Sequence, residues 1–442
     1  MVGILSVVAV IIVLLPFHAF LTVWGSLLIG HYTLLRLWKE FLVLFISMAA
    51  IWLVIVDRSI RRVIFKNKLT WAILAYALVD LIVSFWSYRG HQVSGKALAY
   101  GLLDDLRFLA FLLVVWAAAL HSPKLNKRWH KLILWPAVVV IGFGLLQMSV
   151  LPANFLTHFG YGAKTIPPFE TINNNPNYVR ILSTLRGADP LGAYLILPIS
   201  ALVVMLVRFR KSWSWAKVLL LIGAIIVLYG SYSRGAWIGA VISCLFITAT
   251  LLKREMLRRY KLPIIVALVV VVLIAGIGGV VLSHSARFQN IIFHTQTNSA
   301  SPISSDQAHL SALESGLQQV ADHPLGRGPG TAGPASVYNH DAPASIPEDY
   351  FLEIGEESGW LGLVLFIAIN LLVGYELWQR RSSAFALTLL AALIGITFVN
   401  LITLSWTDDT LSYLWWGLAG LALSLPIPEG TKPKNKAGLI RG

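Results

Sequence analysis

The chain has 442 residues, 57% of them hydrophobic and only 13% charged, with a mean hydropathy of +0.73 and a net charge of +14. A water-soluble domain could not hide so much apolar surface, and many runs exceed the roughly 18 apolar residues that read as a transmembrane helix. The period-2 alternation of an outer-membrane barrel is absent, so the fold class is an all-α polytopic membrane protein.

In chain order, the apolar runs predict about twelve transmembrane helices, near 3–29, 40–56, 70–87, 103–120, 131–150, 190–207, 216–230, 234–252, 262–283, 351–378, 383–405 and 410–426. The first contains "LLPFHAF" (14–20), where Pro16 predicts a kink. It lacks a basic leading region and a small-residue cleavage site, and reads as a retained helix rather than a signal peptide. The lone cysteine, Cys244, lies inside an apolar run, which excludes an intrachain disulfide.

Basic residues concentrate in every second connection: 57–68, 121–131, 208–217, 253–261, 379–381 and the tail 427–442. The positive-inside rule makes those faces cytoplasmic, with both termini inside. The charge therefore reports topology, and no nucleic-acid partner is implied. Two long polar connections, 151–189 and 284–350, are expected to face outward.

Against that pattern stands "GSYSRGAW" (230–237), which places Arg234 on the outer side and at a helix N-terminus. Both placements are unfavourable for a cation unless an anion binds there, where the helix end itself attracts negative charge. Gly235 would let backbone approach such a ligand. The other cations of the later outer segments are Arg180, Arg186, Arg287 and Arg327. Convergent arginines suit a phosphate-bearing ligand, which their planar forks grip bidentately. Asp189-Pro190 reads as an N-cap followed by proline at the first helical position.

In the later outer segment, Leu310, Leu313, Leu317 and Val320 recur at helical spacing and predict an amphipathic surface helix near 305–322. "HPLGRGPGTAG" (323–333) is glycine-rich enough to approach a phosphate, yet it lacks the GK[ST] ending of a P-loop. His309, His323 and His340 lack metal-ligand spacing, so neither metal nor other cofactor is expected. Pro347, Glu348 and Asp349 suit a first helical turn. Glu353, Glu356 and Glu357 continue into the span, where they demand a cationic partner or an aqueous cavity.

Three motifs together resemble the O-antigen ligase and Wzy-type polymerase superfamily of bacterial inner-membrane proteins. They are Ser233-Arg234-Gly235-Ala236 opening a span, "STLRGADPLGAYL" (183–195), and "HPLGRGPG" (323–330) followed by "EDYFLEIGEESGWLGL" (348–363). The family patterns are an arginine then P-N-x-x-G before an apolar helix, and H-P-x-x-G-x-G followed by H-N-x-Y-L and E-x-G-x-x-G. The chain departs from them at two places. Glu348 and Asp349 stand where relatives carry histidine and asparagine, and Ala188-Asp189 replaces P-N.

The resemblance implies a glycosyltransferase needing no metal or nucleotide. It would act on the outer face of the cytoplasmic membrane, moving a glycan from undecaprenyl diphosphate to a glycan, lipid or protein acceptor. Arg234, with Arg180, Arg186 and Arg327, would clamp the diphosphate. The family's catalytic base falls on Glu348, a carboxylate that would have to take over the task. Asp349, His323, His309 and Arg287 are secondary candidates. A multi-span transporter of lipid-linked glycan and a non-catalytic relative stay open as rivals, although the two halves show no internal repeat.

Overall fold

The computed structural model describes residues 2–209, 214–251 and 305–428. The predicted span at 262–283, Arg287 and the basic segments at 253–261 and 431–442 lie outside the described residues. The first predicted span is two helices, α1 (Val2–Leu14) and α2 (His18–Ile29), joined by a 3-10 turn at Leu15–Phe17 that holds Pro16. Proline has no amide to continue the ladder, and the helix tightens to a 3-10 turn there. Then come α3 (Tyr32–Arg36), α4 (Trp38–Val56), α5 (Arg58–Lys66), α6 (Lys68–Arg89), α7 (Gly95–His121) and α8 (Trp129–Ser149). The sequence reading lacks α5, whose basic residues interrupt the apolar pattern; Asp57 caps it by accepting from the amides of Ser59 and Ile60. The start of α7 lies at Gly95 rather than 103, capped by Ser94.

A two-stranded ribbon, β1 (Glu170–Thr171) and β2 (Val179–Arg180), pairs Glu170 opposite Arg180. It is followed by α9 (Ala188–Arg208), α10 (Trp215–Gly230), α11 (Arg234–Leu251), α12 (Ser305–Asp322), α13 (Tyr350–Gln379), α14 (Ala384–Asn400) and α15 (Asp409–Leu423). The span predicted to reach 405 stops at Asn400, whose side chain turns the chain by accepting from the Trp406 amide at 3.0 Å. Among the described residues, seven helices are long and apolar enough to cross a membrane, and α10 and α14 are shorter apolar helices. Large side chains such as Phe41, Trp52, Trp86, Trp135 and Leu371 lie exposed on the bundle's flank. This is an all-α membrane protein. Where α11 crosses α14, Gly239 and Gly395 leave no space for a Cβ on either helix. Small residues allow such backbone-to-backbone packing in membranes.

The span expected to run unbroken over 351–378 is broken at Gly359, which has φ 66° and ψ −170°. A residue with a side chain rarely adopts that conformation. The break frees backbone groups that the glycine-rich turn takes up. The amides of Arg327 and Gly328 donate to the carbonyls of Glu356 and Glu357, each at 2.8 Å, and Trp360 N donates to Pro324 O at 3.0 Å. Glu357 Oε1 accepts from the amides of Gly330 at 2.7 Å and Ala332 at 3.1 Å. The turn thus cradles a carboxylate of the protein itself, and the expectation that it approaches a phosphate is corrected. Arg327 Nη2 pairs with Glu356 Oε2 at 2.9 Å, and Ser345 Oγ donates to the same oxygen at 2.9 Å. Arg327 is thus a cationic partner for Glu356, one of the three acids in this span.

A second buried charge group ties the two-part first span to the last helix. Lys39 Nζ lies 2.9 Å from Asp409 Oδ2 and 3.2 Å from His18 Nε2. Trp38 Nε1 donates to His18 Nδ1 at 2.8 Å, which fixes the ring from the other side. The Lys39 side chain is 1% exposed. An ammonium so buried persists only because it is paired.

Candidate functional site

The turn that carries Arg234 is fastened to β2. Ile181 N donates to Gly230 O at 3.2 Å, and Arg180 Nε donates to Ser231 O at 2.9 Å. The same guanidinium reaches Asp189 Oδ1 at 2.6 Å and lies 3.7 Å from Glu170. Burial works against the Arg180 charge, but Asp189 and Glu170 outweigh it and hold its pKa above the ordinary value. Arg180 is therefore a staple that joins the ribbon, the start of α9 and the turn before α11. Asp189 lies inside the first turn of α9, with Gly187 as N-cap, so its expected capping role is corrected to pairing with Arg180.

Gly192 of α9 sits against Ser233 and Ala236, with no room for a Cβ. That contact draws the start of α11 against α9 and sets Arg234 as its first residue. Gly235 faces the tip of Ile402. Gly235 also lines the larger of the two cavities at this end of the bundle, beside Arg234.

Glu348 precedes α13 with φ 56°, a left-handed conformation costly for a side-chain-bearing residue. Next to it, Asp349 is the N-cap, accepting from the amides of Phe351 at 2.8 Å and Leu352 at 3.0 Å. Burial raises the Asp349 carboxyl above its usual range, partly offset by those amides. Asp349 thus serves helix α13 as its cap, and the strained backbone at Glu348 turns that side chain onto His309 of α12. Glu348 Oε2 contacts His309 Nδ1. The hydrogen bond to Glu348 raises the His309 pKa above 6.5; burial and the Arg234 charge oppose it, and Asp189 supports it.

Two adjoining cavities open at this end of the bundle. The larger, of about 740 Å³, is lined by Arg180, Arg234, His309 and Glu348 together with apolar side chains including Trp237 and Leu313. The smaller, of about 350 Å³, is lined by Arg186, Glu170, Asp408, Ser405 and Thr407. Asp189, His309, Glu348, Ile402 and Thr403 line both. Both volumes lie in the range of small-molecule sites.

The structure brings Arg180, Arg234, Glu348 and His309 to one cavity and Arg186 to its neighbour. Arg327 lines neither cavity and is engaged by Glu356. His323 caps the end of α12 through Gln319 O, 3.1 Å from Nδ1, and lines neither cavity. Sequence reasoning missed Glu170, Asp408 and the hydroxyls at 403–407. The only signal was two adjacent acids opening the last span.

Residues 219–367 match the family model described as O-antigen ligase. The match supports the likeness to the O-antigen ligase and polymerase superfamily. It runs from within α10 to within α13 and so contains Arg234, His309, Glu348 and the whole Gly359 junction. Arg180, Arg186 and Asp189 precede the matched segment of the O-antigen ligase model. No curated protein matches the chain. The match supports a general role in ligating or polymerising glycans at a membrane.

Proposed function

We propose that the protein transfers a glycan from undecaprenyl diphosphate to an acceptor hydroxyl on the outer face of the bacterial cytoplasmic membrane. The observation that supports this most is the meeting of Arg234, Arg180, His309 and Glu348 around one cavity with an apolar wall. A lipid-linked diphosphate needs both features. Arg234, at the first position of α11, combines a fixed positive charge with a helix N-terminus. It takes the diphosphate, and Arg180 holds the turn in place from behind.

In the transfer, the acceptor oxygen bonds to the anomeric carbon as that carbon's bond to the diphosphate oxygen breaks. The acceptor proton passes to His309, and the lipid diphosphate leaves with the electron pair. With Nδ1 held by Glu348, Nε2 of neutral His309 is the basic nitrogen. Glu348 fixes the tautomer and stabilises the cation that forms, as a carboxylate does behind a catalytic histidine. The family's histidine, missing from position 348, is replaced in space by one from α12. The cationic groups beside the leaving diphosphate stabilise charge that grows as the bond breaks. The donor is already activated, so the reaction draws on no nucleotide or metal.

The test is consumption of an undecaprenyl-diphosphate-linked oligosaccharide by purified protein in detergent. With no gradient to drive transport, release of free lipid diphosphate with a longer or transferred glycan supports the enzyme. An intact donor after incubation with acceptor would rule it out.

A further inference from the structure

The larger cavity sets Arg180 and Arg234 against Asp189 and Glu348 and has an apolar wall; the smaller one is predominantly acidic. Four carboxylates line the smaller cavity, Glu170, Asp189, Glu348 and Asp408, against Arg186 and His309. Three of the four are engaged: Asp189 and Glu170 by Arg180, Glu170 also by the Ala188 amide, and Glu348 by His309. Asp408 is 5% exposed, and its Oδ1 caps α15 by accepting from the Leu411 amide at 3.0 Å. Its Oδ2 is buried and meets no hydrogen-bond donor among the described residues. A buried carboxylate oxygen without a donor is costly unless something supplies one. Beside it, Thr403 and Ser405 share a hydrogen bond at 2.8 Å, and Thr407 adds a third hydroxyl.

We infer that this smaller cavity is the acceptor site, and that it takes the uncharged or amino-bearing end of a glycan and rejects a phosphorylated one. Sugar hydroxyls are donors, and Asp408 and Glu170 both line the cavity as carboxylate acceptors. Carboxylates on one wall repel an anionic acceptor, which adds discrimination beyond shape. The two cavities share His309 and Glu348, so an acceptor hydroxyl in one and an anomeric carbon in the other would meet at that pair. This assignment rests on the transferase reading above and adds the chemical class of the second substrate.

The test uses the full chain in detergent with alkyl glycosides as probes: a neutral hexoside, an amino-hexoside and a hexoside phosphate. In a binding arm without donor, the neutral and amino probes raise the unfolding temperature and the phosphate probe does not. In a transfer arm with undecaprenyl-diphosphate-linked oligosaccharide, the phosphate probe is used at least about tenfold less efficiently, the scale of one charged contact. Asp408→Asn keeps the capping oxygen, and Glu170→Gln keeps an acceptor for the Ala188 amide, so both variants fold. Each raises the KM for the neutral acceptor roughly tenfold, leaves the donor KM unchanged and narrows the discrimination against phosphate. Equal binding of all three probes, or a shift in donor KM alone, overturns the acceptor site even if transfer proceeds. Selective binding with no transfer keeps the acceptor site and sinks the transferase reading.

Discussion

Gly326 and Gly359 face each other backbone to backbone, and a Cβ on either would collide with the other's amide. Two sequence motifs 33 residues apart by that numbering are therefore two halves of one lock. One half is the glycine-rich turn; the other is the break in α13. The lock sets the register of α13 and with it the position of Glu348, which lies eleven residues before Gly359 and directly before the cap Asp349.

Substituting Gly359 with alanine combines a left-handed conformation with a collision against the Pro324 and Leu325 backbone. Strain of that kind costs on the order of 1–3 kcal/mol before the clash is counted. The expected outcome is a lower unfolding temperature in detergent and lost transfer. An unchanged unfolding temperature would show that the two segments part easily.

Arg234→Ala is expected to abolish turnover while the protein still inserts and folds, because the turn is fastened through Arg180 and Ile181. Arg234→Lys should be damaged as well, since an ammonium offers a point charge instead of a fork. Glycan transfer and donor KM are the measurements. Normal turnover in a well-expressed Arg234→Ala protein would refute the diphosphate contact.

Lys39→Met should destabilise the fold by about 3–5 kcal/mol, the usual cost of stranding one member of a buried ion pair. Asp409 and His18 would lose their shared partner. The double variant Lys39→Met/Asp409→Asn should recover part of that loss in thermal unfolding. Additive losses would show that the pair does not act as a unit.

Much of this was legible in the sequence. Apolar runs longer than a bilayer needs fix helices whatever their partners, and Pro16 marks its own break. Arg234 was visible because it opposes two placement preferences at once. The rest depends on contacts across the chain. Nothing local in the run from 351 to 378 shows that Gly359 breaks it, because the cause is a turn more than twenty residues earlier. The pairing of Glu348 with His309 was hidden for the same reason. Asp408 looked like an ordinary helix start, and one of its oxygens is; only the cavity distinguishes the other.

The alternating charges predict the orientation in the membrane. In a Cys244→Ser background, a cysteine at residue 125 should label only from the cytoplasm and one at residue 320 only from outside. Val320 is 3% exposed, so the neighbouring exposed Gln318 or Asp322 is the better place for the probe. Cytoplasmic labelling there would invert the chain and put the site on the wrong side for a donor presented outside.

The pH dependence separates catalysis from structure at His309. Its pKa lies above 6.5, held there chiefly by the hydrogen bond to Glu348. A base must be neutral, so transfer should rise as pH increases through that raised value. Stability has the opposite sign. The charged pair contributes fully below the unfolded-state value of about 6.5, and its contribution is lost as pH rises through the folded value. That contribution is small, because the His309 and Glu348 side chains are 41% and 38% exposed. Glu348→Gln removes the largest upward influence, so the acid limb of the rate profile should move to lower pH while kcat falls. His309→Ala should lose roughly 10²–10⁴-fold in turnover with donor binding retained. Glu348→His, which restores the residue of relatives, should recover part of the activity lost in Glu348→Gln. A merely structural pair would lower the unfolding temperature and leave the acid limb where it was; near-wild-type turnover in both Glu348→Gln and His309→Ala would remove the base from this site.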